Sequence, residues 1–192
     1  MKVLLLFLIA SNLSLASFSQ ITKNNWLVGG NGKLFSDNSD YRSDSYTYTA
    51  KLTQIDISAS LGYFLIDKLA LGLRPTFSSI KGRVTSIGGG TTNTQRYWVG
   101  PFARYYFFQK DNQFNLLADI GYQWGFLKAG SQMGELATFN TMAGPVIYFN
   151  NCIGIEFLFG YAYSKEDVKE GSKIVNKGFQ TAIGFQIHLE SK

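Results

Sequence analysis

The stretch Phe114-Asn115-Leu116-Leu117-Ala118-Asp119-Ile120-Gly121-Tyr122-Gln123-Trp124-Gly125-Phe126 decides the fold. Phe114, Leu116, Ala118, Ile120, Tyr122, Trp124 and Phe126 share one face of an extended chain. Asn115, Leu117, Asp119, Gly121, Gln123 and Gly125 share the other. A period of two belongs to a β-strand, because a helix repeats every 3.6 residues.

The same alternation recurs on both sides of this stretch. Residues 54–64, 69–78, 152–163 and 181–189 repeat it cleanly, and residues 25–35, 95–108 and 138–149 repeat it less cleanly. Together these give eight predicted strands. Their connections alternate in length: short at 66–68, 109–112 and 150–151, long and polar at 36–45, 79–94, 128–136 and 164–177. Short turns at one end and long loops at the other predict an even-numbered, up-and-down membrane barrel. Gly88, Gly89 and Gly90 fall in a long connection with no strand–loop–helix context, so they read as loop residues and not as a phosphate cradle.

Size decides which face is inside. An eight-stranded barrel has an interior just wide enough for side chains to fill it. The Phe/Tyr/Trp/Ile/Leu face is too bulky for that space. The opposite face carries Gly62, Gly72, Gly121, Gly125, Gly154, Gly160 and Gly184 together with the charges. The small, polar face therefore turns inward and the aromatic face meets lipid. A soluble lipocalin-like barrel would invert the two.

Composition agrees. The 192 residues include 16 Phe, 11 Tyr and 3 Trp, and only 16% are charged, against about 25% in soluble domains. That profile excludes intrinsic disorder. One Cys excludes an internal disulfide and one His a two-histidine metal centre, and no cofactor is expected. The net charge of +5 is scattered, with no run of four Lys or Arg, so no nucleic-acid partner is expected.

Residues 1–19 read as a signal peptide and residues 20–192 as the barrel domain. Lys2 is the positive start, 3–10 an apolar run too short to span a bilayer, and Ser14, Ala16, Ser17 and Ser19 the small residues that follow. Cleavage fits after Ala16 or Ser19, with Ser19 preferred. Aromatics predict two rims: Trp26, Tyr63, Phe64, Tyr105, Phe107, Phe114 and Phe149 by the short turns, and Tyr46, Tyr48, Phe77, Tyr97, Trp124, Phe126 and Tyr161 toward the long loops. Pro75, Pro101 and Pro145 fall inside strands, where each should cost a ladder bond or mark a bulge. Two of them follow a glycine, as Gly100-Pro101 and Gly144-Pro145.

Residues 61–72 (LGYFLIDKLALG), a strand–turn–strand, and 100–107 (GPFARYYF) resemble the small outer-membrane β-barrel family of Gram-negative bacteria, OmpA/OmpX-type. The resemblance covers about residues 22–189. It implies an all-β, eight-stranded antiparallel up-and-down transmembrane β-barrel in the bacterial outer membrane, with termini in the periplasm and long loops outside. It also implies outer-membrane lipid and lipopolysaccharide as surroundings, and the barrel-assembly machinery as a partner. Gly184, Ile187 and Leu189 have the spacing of the family's terminal assembly signal. Ala182 stands where a polar residue is usual, and the chain ends Glu190-Ser191-Lys192 instead of on an aromatic.

Enzymes among such barrels place a His with Ser, Asp or Glu at the outer rim. Here the single histidine, His188, is at the opposite end, so no catalytic residues are expected. Arg74, Arg104, Asp119 and Glu156 all fall on the inward face at similar depth. They read as a structural lumen charge cluster, with a gate or ion path as the other reading. Cys152 reads as a small filler beside a turn. Lys165, Glu166, Asp167, Lys169, Glu170, Lys173 and Lys177 read as a solvated loop. Phe102, Leu117, Met142, Tyr148 and Leu158 also point inward and favour a filled lumen. The expected role is structural or surface-interactive through long loops, with a narrow pore for small solutes or ions as the alternative. Ile155 and Leu71 are expected near the bilayer midplane, and Gln123 at a tolerant lumen position.

Overall fold

The computed structural model describes residues 21–42, 47–85, 89–109, 112–150, 152–168 and 172–190. The signal peptide expected over 1–19 lies outside them, as do Tyr46, Gly88, Lys169 and Glu170. Eight strands run in order: β1 (Trp26–Arg42), β2 (Thr47–Ile66), β3 (Leu69–Thr85), β4 (Thr91–Tyr106), β5 (Phe114–Ala129), β6 (Gln132–Tyr148), β7 (Ile153–Val168) and β8 (Ser172–Leu189). Each pairs antiparallel with its neighbours in sequence, and β1 pairs with β8 to close the ring. Closure leaves the membrane-spanning sheet without a free edge, which lipid requires because it cannot hydrogen-bond an open backbone.

The outward face shows where hydrocarbon begins and ends. Along β3 the outward positions are Leu69, Leu71, Leu73, Pro75 and Phe77, then Ser79, Lys81 and Arg83. Along β5 they are Phe114 through Phe126, then Lys128, and along β7 Ile153 through Tyr163, then Lys165 and Asp167. These bands, 69–77, 114–126 and 153–163, are each at least as long as the roughly 9–11 tilted residues a strand needs to cross a bilayer. An apolar outside around a polar, charged inside makes this a transmembrane barrel.

The long loops expected at 36–45, 79–94, 128–136 and 164–177 are mostly strand. β1 and β2 stay paired from Trp26↔Tyr63 to Arg42↔Thr47, and β5 and β6 to Ala129↔Gln132. The last pair closes on Gly130 and Ser131, with Gly130 in the left-handed region at φ 61. The hairpins continue above the bilayer because the ladder needs only backbone. Both faces are wet there, so the apolar alternation that marks a strand in sequence is lost. The β1–β8 ladder is shorter, running from Trp26↔Leu189 to Gly32↔Ile183 among the described residues.

Each strand proline interrupts the ladder on one side only. Pairs are recorded on either side of Pro75 toward β2, of Pro101 toward β5 and of Pro145 toward β7, with no shift of register across the gap. Each proline stays in register with its other neighbour, at Val99, Leu73 and Leu116. The glycines before two of the prolines have their own reason. A Cβ on Gly100 would stand 2.0 Å from the Tyr122 carbonyl oxygen, and one on Gly144 1.9 Å from that of Phe157. Gly72, Gly125 and Gly160 meet a neighbouring strand's backbone as closely with no proline after them, so the close approach of the strands, not the proline, requires the glycine. Gly100→Ala is expected to lower stability by about 1–3 kcal/mol, the range for overpacking a filled site. The check is urea unfolding in lipid vesicles, with Ala143→Gly on the outward face as control.

Phe64 departs from expectation. It turns inward and is fully buried, against Tyr106 and His188 at ring centroid distances of 5.9 and 5.4 Å. A β-bulge between Phe64 and Ile66, just before the turn at Asp67 and Lys68, changes the register there. Ile21 is buried with this group, and its carbonyl accepts from the Lys68 N–H at 2.8 Å. The segment before β1 thus helps close the turn end.

Candidate functional site in the barrel lumen

The lumen is stacked in layers. At the turn end Leu27, Phe64, Tyr106, Leu117 and His188 form a plug of fully buried side chains. Each comes from an inward position near the start or end of its strand, so β1, β2, β4, β5 and β8 deliver bulk to one level.

The charge layer lies directly above. Arg74 grips Asp119 with both terminal nitrogens, at 2.8 and 2.7 Å, and its Nε donates to Ser60 Oγ at 3.0 Å. Its guanidinium also lies over the Phe102 ring, 4.4 Å from the centroid. Arg104 donates from Nε to Asp119 Oδ2 at 2.9 Å and from Nη1 to Glu156 Oε2 at 2.7 Å. The structure therefore brings Arg74, Arg104, Asp119 and Glu156 into one contact chain, with Arg104 as the link between the two carboxylates. All four are buried. Their formal charges cancel, and planar guanidinium forks suit bidentate carboxylate pairing.

Neutral groups tie this layer to the plug. Gln186 Oε1 accepts from Arg104 Nη1 at 3.1 Å and from the Tyr106 hydroxyl at 2.6 Å, while its Nε2 donates to Tyr148 Oη at 2.9 Å. Phe102, Leu117, Met142, Tyr148 and Leu158 are buried around the same axis.

Amides and hydroxyls lie above the charges. Gln123 Nε2 donates to the Arg74 carbonyl at 2.6 Å and to Thr76 Oγ1 at 2.9 Å. Its Oε1 accepts from Trp98 Nε1 at 3.1 Å and Asn140 Nδ2 at 3.3 Å. Gln123 is thus a buried hub, not a tolerant lumen position.

Beyond Gln123 the lumen widens into a cavity of about 460 Å³. Lys33, Asp56, Arg96 and Glu166 line it. Arg96 and Glu166 pair at 2.8 Å, and Asn176 Nδ2 donates to Glu166 Oε1 at 3.1 Å. Lys33 donates to Gln180 Oε1. Glu166 is therefore a buried inward residue and not part of a solvated loop. Parity could have found this layer: Arg96 stands eight residues before Arg104 on one strand, and Glu166 ten after Glu156 on another. The apolar partners that mark a strand are missing at that height.

No family model matches the chain, and no curated protein sequence matches it. Solved structures do. The chain is similar to the outer membrane protein OprG from Pseudomonas aeruginosa, with TM-score 0.59 and 13% identity over 91% of this chain and 100% of that one. It is also similar to Neisserial surface protein A, with TM-score 0.55 and 15% identity over 85% of this chain and 96% of that one. At these identities the likeness is one of fold.

Proposed function

We propose that this chain is a sealed barrel of the bacterial outer membrane. Its role is structural or surface-interactive, its surroundings outer-membrane lipid and lipopolysaccharide, and the barrel-assembly machinery its route into the membrane. The observation that carries the reading is the continuous contact from Arg74 through Asp119 and Arg104 to Glu156, Gln186, Tyr106 and Tyr148. It crosses the lumen from β3 to β8. An ion passing it would have to separate buried pairs, each costly to desolvate. The parts that meet the outside are the paired hairpin arms above the apolar band, not extended loops.

Catalysis is not part of the reading. His188, the single histidine, is enclosed by Phe64, Tyr106 and Tyr148 at the turn end. The mature chain, starting near Gln20 and isolated from the outer-membrane fraction, is expected to show little steady conductance in planar bilayers. Large, steady channels in the wild type would favour the alternative, a narrow pore for small solutes or ions.

A further inference from the structure

The cavity beyond Gln123 has a size, a floor and a set of unused polar atoms. Its volume of about 460 Å³ lies within the 300–1,000 Å³ of small-molecule sites. Its floor is the amide and charge layers, and it opens at the hairpin end of the barrel. Among the described residues three buried polar atoms have no hydrogen-bond partner: Ser78 Oγ, Arg96 Nε and Asn140 Oδ1. All three residues line this cavity, and Ser78 and Asn140 are more than nine-tenths buried. Buried polar groups are ordinarily paired, so three orphans around one cavity, from β3, β4 and β6, point to a ligand's own polar groups.

The wall's charges say what kind of ligand. Lys33 and Arg96 are balanced by Asp56 and Glu166, and Arg74, which also lines the cavity, is held by Asp119 in the floor. Arg96 is already paired with Glu166 and Lys33 bound to Gln180, and Asp56 accepts from Gln54 at 3.0 Å. No net charge is left for an ionic guest. The unused set is mixed: one hydroxyl that donates or accepts, one N–H that donates and one carbonyl that accepts. Vicinal hydroxyls of a sugar ring, each both donor and acceptor, match such a set. Trp98 lines the same cavity, its indole fixed by the bond to Gln123, and an aromatic face suits the C–H side of a sugar ring.

We propose that this cavity is a binding cup for a small uncharged saccharide of one or two rings. The inference rests on the sealed-barrel reading, because the closed floor makes the cavity a cup and not a passage. The test uses the full mature chain in lipid nanodiscs with Trp26→Phe and Trp124→Phe, which leaves Trp98 as the reporting indole. Glucose and maltose are expected to change its emission saturably, while glycine and inorganic phosphate do not. Ser78→Ala and Asn140→Leu should each weaken maltose binding roughly tenfold, as the loss of a buried hydrogen bond would, with folding checked by heat-modifiable gel mobility. Saturation by phosphate or glycine at lower concentration than by sugar, or folded variants that bind maltose like the parent, would overturn the proposal. The sealed floor is scored separately, by maltose entry into proteoliposomes. Entry overturns the seal, whereas neither entry nor saturable binding overturns the cup alone.

Discussion

Arg104→Ala is expected to destabilise the barrel by about 3–5 kcal/mol, the range for removing one partner from a buried ion pair. Arg104 is the only described side chain that contacts both Asp119 and Glu156. Without it Asp119 keeps its two-pronged contact with Arg74, but Glu156 is left buried with no cation. The loss should therefore exceed that of Arg74→Ala, after which Asp119 still has Arg104. Removing both members, as in Arg104→Met with Glu156→Leu, should cost less than the two single losses added together, because no charge is then stranded. Urea unfolding in lipid vesicles, followed by tryptophan emission, measures the parent, Arg104→Ala, Arg74→Ala, Arg104→Met, Glu156→Leu and the double variant. A loss for Arg104→Ala of about 1 kcal/mol or less, as for a surface pair, would show that the contact chain is not what holds the lumen.

The membrane-spanning part of this fold could be read directly from the sequence. There, lipid on one side and a filled lumen on the other impose opposite demands on successive residues, so Phe114–Phe126 alternates without a break. The same parity placed Arg74, Arg104, Asp119 and Glu156 on one face. Depth was harder to read. Leu71 and Ile155 are each the third residue of their strand, nearer the turn-side edge than the midplane expected for them. Above the bilayer the two sides become alike and the pattern disappears, so the paired hairpin arms read as loops and Glu166 as a solvated charge. Phe64 was misplaced for another reason. It has the parity of Ser60 and Gly62, so alternation by itself turns it inward, and the rim expectation followed only its aromatic type and its place beside the turn.

The outward face yields a prediction with a depth profile. On β3 the apolar band runs from Leu69 to Phe77 before Ser79 and Lys81, so Leu73 stands at its centre, 57% exposed. Leu73→Arg places a guanidinium at the hydrocarbon midplane and should cost about 2–4 kcal/mol. Leu71→Arg, one outward position nearer the turns, should cost less, because its side chain can reach the headgroups. Ser164→Arg is the lumen control. It introduces the same charge into the wet cavity beside Glu166 and should cost less than either. Unfolding the three variants from vesicles of one lipid composition reads the order directly. If Ser164→Arg were the most damaging and Leu73→Arg the mildest, the apolar band would not be facing lipid. A flat series across Leu71 and Leu73 would mean instead that the bilayer is centred elsewhere on the barrel, with the polar switch at Ser79 no longer its outer edge.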